Sequence, residues 1–129
     1  MSEQAPWLDE VVKKIHDLRH LKADWDSYGA LPVKTHSMSC AIRFVRQLAR
    51  EITIQAPLVG ATPGGYVGFC WDEGDWSLDV IVGTTTGYVD YVYLDARDDK
   101  NDKDVQGAPS SVVTRLLTKC YKRMKDNAS

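Results

Sequence analysis

No stretch of this sequence approaches the roughly 20 consecutive apolar residues that a membrane-spanning helix needs. The opening MSEQAPWLDE also lacks a basic segment followed by an apolar one, the pattern of an export signal. The expected location is therefore cytoplasmic. Cysteine is scarce as well: Cys40, Cys70 and Cys120 are odd in number and widely spaced, with no C-x-x-C and no adjacent histidine. That spacing argues against a disulfide framework or a thiolate zinc site. The three are read as reduced thiols with structural roles, since free cysteine behaves as a small hydrophobe. Cys120 falls on the apolar stripe of a predicted helix and Cys70 lies within a predicted strand.

Catalytic and metal signatures are incomplete wherever they begin. Residues 60–65, GATPGG, lack the lysine of a phosphate loop and no helix follows them, so they read as a turn. His16 and His20 stand at i, i+4, a spacing that can offer two ligands to a metal. They lie opposite the apolar stripe of their helix, however, and no H-E-x-x-H is present; His36 would join them only through the fold. Asp102, Asp104, Gln106 and Gly107 imitate the first half of an EF-hand loop, but Val113 stands where the bidentate glutamate belongs and Pro109 interrupts the geometry. Asp72, Glu73, Asp75 and Asp79 could gather magnesium for phosphodiester hydrolysis. The first three sit in a hairpin turn, where acidic residues are common. Neither a cofactor nor a metal is expected, and the chain is read as non-enzymatic.

What is present is enough for one core. The 129 residues are about one domain's length, with 26% charged and 43% hydrophobic residues, a balance that excludes disorder and coiled coil alike. Leu8, Val11, Val12, Ile15 and Leu18 follow helical spacing and place a first helix over about residues 6–22, with Pro6 in its first turn. Met38, Ala41, Ile42, Val45, Leu48, Ala49 and Ile52 mark a second helix with Thr35 or Ser37 as N-cap. Between residues 57 and 95 the period changes to two, and strands are predicted over 66–71, 76–82 and 88–94. The short connectors DEGD and GTTTG join them as an antiparallel meander, and residues 58–61 offer a fourth strand. Residues 95–107 read as a polar loop without periodicity. Val112, Val113, Leu116, Leu117, Cys120, Tyr121 and Met124 then define a last helix opened by Pro109 and Ser110. The expected architecture is a single α+β domain over residues 1–129: a three- to four-stranded antiparallel meander with two N-terminal helices and one C-terminal helix.

Between the first two helices lies DWDSYGAL, residues 24–31. Asp26-Ser27-Tyr28-Gly29 has the residue types of an Asx turn followed by a glycine free to take positive φ, and Pro32 keeps the helix from resuming. Trp25 and Tyr28 are expected to bury their rings against the flanking helices. Trp25, Asp26, Tyr28, Gly29 and Pro32 are thus read as a structural motif. Together with Ala30, and with Pro57, Val59, Thr62, Pro63, Gly64, Gly65 and Trp71 downstream, they make the sequence resemble a loose group of short bacterial and phage-borne proteins. That group carries a W-D-x-Y-G-A-x-P signature, then a P-x-V-x-x-T-P-x-G-G turn and an aromatic strand. The resemblance spans roughly residues 18–95 and implies a bacterial or phage setting and a shared fold, with no activity attached.

Charge is unevenly spread. Residues 57–104 hold ten acidic and three basic side chains, whereas residues 105–129 hold five basic and one acidic. Asp72, Glu73 and Asp75, with Asp98, Asp99 and Asp102, are candidates for an acidic surface that meets a basic protein partner and could mimic nucleic acid. Trp76, Tyr91 and Tyr93 would anchor such an interface if exposed. The function expected is that of a small protein-interaction module, an inhibitor of a host defence enzyme or an antitoxin-like neutraliser. The alternative is nucleic-acid binding, as a monomer or a homodimer, through Arg43, Arg46 and Arg50 on the second helix and Arg115, Lys119 and Lys122 on the last.

Overall fold

A computed structural model describes residues 5–128; the first four residues of the segment read above for an export signal lie outside them. Among the described residues, three α-helices pack on one face of a five-stranded antiparallel sheet whose spatial order β1-β2-β3-β4-β5 follows the chain. Helix α1 covers Leu8–Asp17 and α2 covers Thr35–Glu51. The strands are β1 (Leu58–Ala61), β2 (Val67–Asp72), β3 (Trp76–Val82), β4 (Tyr88–Asp95) and β5 (Lys103–Pro109), and α3 (Ser110–Ala128) closes the chain. No helix in the described part is long and apolar enough to cross a membrane.

The α+β class and the meander are as expected, but the sheet has five strands rather than three or four. The added strand, β5, comes from the segment read as a loop. Its pattern offers only Val105 and Ala108 to the core side, and the ladder with β4 shifts register between Val89 and Tyr91. There the Gly107 N–H donates to Asp90 Oδ1 at 2.8 Å, holding an irregularity that erases the period-two signal. Helix α1 is also shorter than the 6–22 expected: it gives way to a 3-10 turn at Leu18–His20, and Leu21 is extended.

Neither Thr35 nor Ser37 caps α2; the N-cap is Lys34, without a side-chain bond. Ser37 instead lies buried, donating to the Val82 carbonyl at 2.6 Å and accepting from the Val67 N–H at 2.9 Å. One hydroxyl thereby fixes the start of α2 against β2 and β3. The core is aromatic along the strands, with Phe44 against Phe69 at 5.6 Å and Trp76 edge-on to Tyr121 at 5.3 Å between ring centres. Indole N–H groups of Trp7 and Trp71 donate to the carbonyls of Ile54 and Gln55, so the N-cap of α1 and strand β2 both fasten the link that follows α2.

Candidate functional site

The 24–31 loop is a structural joint. Asp26 Oδ1 accepts from the N–H of Tyr28 at 2.9 Å and of Ala30 at 3.1 Å, Asp24 Oδ1 accepts from Gly29 N–H at 2.7 Å, and the Trp25 indole donates to the Leu31 carbonyl. Asp24, Ser27 and Gly29 all take positive φ, which the sequence foretold only for Gly29. The loop then docks on the 62–65 turn, where the Leu31 N–H donates to Pro63 O and the Lys34 N–H to Gly65 O. The two separated halves of the motif therefore meet in space. One expectation fails: Tyr28 is 91% exposed rather than packed on the helices, because the left-handed Ser27 and Gly29 on either side turn it outward. Trp25 is half-buried, and Pro32 is exposed.

The proposed aromatic anchors are a second correction. Trp76, Tyr91 and Tyr93 are buried, since they share the strand face that carries Leu78, Val80 and Val89 beneath the helices. The described residues leave the opposite face of the sheet open. In register across it stand Leu58, Cys70, Asp79, Val92 and Asp104, and in a neighbouring row Gly60, Gly68, Ile81 and Asp90. Asp72, Ser77 and Leu94 form a third row. Among the described residues, no strand position on this face is a lysine or arginine. Leu58, Ile81, Tyr88 and Leu94 are exposed there, and the paired glycines leave a shallow cleft of about 380 Å³ beside Cys70 and Asp79. Burial, then the neighbouring Asp79 carboxylate, pushes the Cys70 thiol up to about 11, so it stays protonated.

The two acidic triads come together at one end of the sheet, where the Ala96 N–H donates to Asp75 O at 2.8 Å. Their members are not equivalent. Glu73 accepts from the Tyr121 hydroxyl, Asp72 from the Gly74 N–H, Asp98 from the Lys100 N–H and Asp102 from the Asp95 N–H. Asp75 and Asp99 are exposed. This end also carries Arg97, Lys100 and Lys103, so the acidic character is cleaner on the open face than at its end.

The basic residues do not form one surface. Arg43 and Arg50 edge a cleft of about 260 Å³ that meets the start of α3, with Arg46 exposed alongside. Lys119 and Lys122 instead line the opposite flank of α3, where a cavity of about 430 Å³ lies between that helix and the β4–β5 hairpin; Arg115 is exposed on the same helix. In that cavity Asp95, buried, accepts from the Arg97 N–H at 3.0 Å and from Asn101 Nδ2 at 3.3 Å. Its Oδ2 lies 3.8 Å from Arg123 Nη1. Sequence reasoning missed this cavity, because Lys103, Asp95 and Arg123 converge only through the fold.

His16, His20 and His36 are exposed, and among the described residues no three histidine, cysteine or carboxylate side chains gather closely enough to hold a metal ion. The site that the geometry singles out is therefore a surface, the open acidic and apolar face of the sheet. No family model matches the chain, and no curated protein or solved structure is similar enough to be counted a match.

Proposed function

We propose that this chain is a non-enzymatic protein-binding module that docks a basic partner on the open face of its sheet. The observation that carries the reading is the composition of that face: Asp72, Asp79, Asp90 and Asp104 are interspersed with Leu58, Ile81, Val92 and Leu94, with no cation among the described strand positions of that face. The apolar area supplies affinity, while carboxylates speed encounter and select for positive charge. The Gly60–Gly68 cleft would seat one partner side chain. Such a face suits an inhibitor or antitoxin-like neutraliser of an enzyme whose own groove is basic, in the bacterial or phage setting that the sequence resemblance implies.

The test is affinity capture from host lysate with three baits: wild type, Asp79→Lys with Asp104→Lys, and Arg43→Gln with Arg46→Gln and Arg50→Gln. A basic protein retained by the wild type and the arginine variant, and lost from the aspartate variant, supports the reading. Retention by all three baits sinks it. Nucleic acid retained by the wild type and lost only from the arginine variant would put the second reading first, which Arg43 and Arg50 beside the start of α3 favour.

A further inference from the structure

The cavity under α3 has the composition of a ligand site rather than of a packing defect. Its volume of about 430 Å³ lies within the range of small-molecule pockets. Lys103 enters from β5, while Lys119, Lys122 and Arg123 enter from one flank of α3; the acidic members of the lining are Asp95 and Asp126. Four cations against two carboxylates leave an excess of two positive charges, which matches a dianion. The apolar part of the lining is the Tyr93 ring, Leu116 and Cys120.

Arg123 makes the strongest case. Its Nη1 faces Asp95, a carboxylate already fixed by Arg97 and Asn101, so the guanidinium is braced from below. Nε and Nη2, the parallel pair that binds an oxyanion side-on, have no hydrogen-bond partner among the described residues. The Tyr93 hydroxyl neighbours the guanidinium without satisfying either atom. Buried charged donors left unmatched are costly, and a bound anion removes that cost. The side chain as a whole is 35% exposed and lines the cavity, while Nε and Nη2 themselves are buried, so an anion reaches them only as the guanidinium turns toward the cavity.

We propose that the cavity between α3 and the β4–β5 hairpin binds a small phosphate monoester. Arg123, Lys119 and Lys103 hold its phosphate, and Tyr93 and Leu116 face its organic group. This site is on the opposite side of the sheet from the protein-docking face and does not depend on it.

The experiment is calorimetric titration of the full chain with phenyl phosphate, inorganic phosphate and benzoate. Phenyl phosphate should bind saturably with Kd below about 1 mM, at least about tenfold tighter than benzoate, because a dianion engages several cations at once. Raising salt from about 50 to about 300 mM should weaken it as the cations are screened. Lys119→Gln and Arg123→Gln should each weaken it about tenfold, whereas Asp79→Asn on the other face should not. Lys119 is exposed, so its variant decides the matter even where Arg123→Gln fails to fold. Absence of saturable binding, equal affinity for benzoate, or wild-type affinity in Lys119→Gln overturns the proposal.

Discussion

The Tyr121 hydroxyl of α3 donates to Glu73 Oε2 in the β2–β3 turn at 2.6 Å, while the same tyrosine ring meets Trp76 edge-on. One residue thus latches the last helix to the β2–β3 hairpin. Tyr121→Phe keeps the ring contact and removes the bond, so urea unfolding should show a loss of about 1 kcal/mol, rising towards about 3 if Glu73 is left dry. Burial, then Glu73, raises the Tyr121 pKa strongly. The protonated phenol is the form the fold favours, so its contribution is full below about pH 10, the unfolded value, and fades as pH rises beyond it. Wild type should therefore lose stability more steeply than Tyr121→Phe above about pH 10.

Two glycines five positions apart should respond in opposite ways. A Cβ at Gly65 would stand 2.7 Å from the Pro32 carbonyl oxygen, on a backbone with φ of +89°. Gly65→Ala should destabilise by about 1–3 kcal/mol in thermal unfolding, the cost of a strained left-handed residue, and more if the 24–31 loop undocks. A Cβ at Gly60 meets nothing within 4 Å. Gly60→Val should leave stability within about 0.5 kcal/mol, as open surface sites do, yet weaken partner binding at least about tenfold by filling the cleft. Unchanged affinity in Gly60→Val would remove the cleft from the interface.

Asp26 holds two backbone N–H groups through one oxygen. Asp26→Asn retains an acceptor there and should cost less than about 0.5 kcal/mol, whereas Asp26→Ala should cost about 1–2 kcal/mol, the range for losing a capping carboxylate. Trp25→Ala should cost less than the roughly 3–5 kcal/mol of a fully buried aromatic, because its ring is only half-buried. Equal melting temperatures for Asp26→Ala and Asp26→Asn would show that the Asx bonds do not hold the loop.

Acid should unfold the α3 cavity first. The Arg97 backbone N–H, helped by Asn101 and Arg123, holds the Asp95 carboxyl below its usual range, against burial that pushes it up. A carboxylate depressed in the fold stabilises above its unfolded pKa, about 3.9, and that contribution is lost as pH falls below it. Asp95→Asn should be less stable than wild type at pH 7 and show a shallower decline between about pH 4 and pH 2. Amide exchange at residues 97–103 reports the local opening.

The helical stripes and the three inner strands were legible because Ile15, Val45 and Leu117 recur at one period and Phe69, Val80 and Tyr91 at another. β5 was not, since its core side offers only Val105 and Ala108 and the register shift opposite Gly107 breaks the alternation. The burial of Trp76, Tyr91 and Tyr93 was recoverable in principle: each alternates in phase with Leu78 or Val89, and only the side taken by the helices was missing. That choice is made by contacts such as Ser37 to Val82, 45 residues apart, which no local pattern announces. The same holds for the α3 cavity, whose cations lie on a strand and a helix that register only after folding.

Because strand order follows the chain, β1 and β5 are the two rims of the sheet, and both are ill suited to recruiting a further strand. β1 is four residues long between Pro57 and Pro63, and β5 carries the exposed charges Lys103 and Asp104 before its irregularity at Gly107 and ends on Pro109. Short length, proline, charge and a kinked ladder are the means by which sheets resist side-by-side stacking into aggregates. The chain can therefore keep a wide, partly apolar sheet face bare without also offering a template for fibril growth.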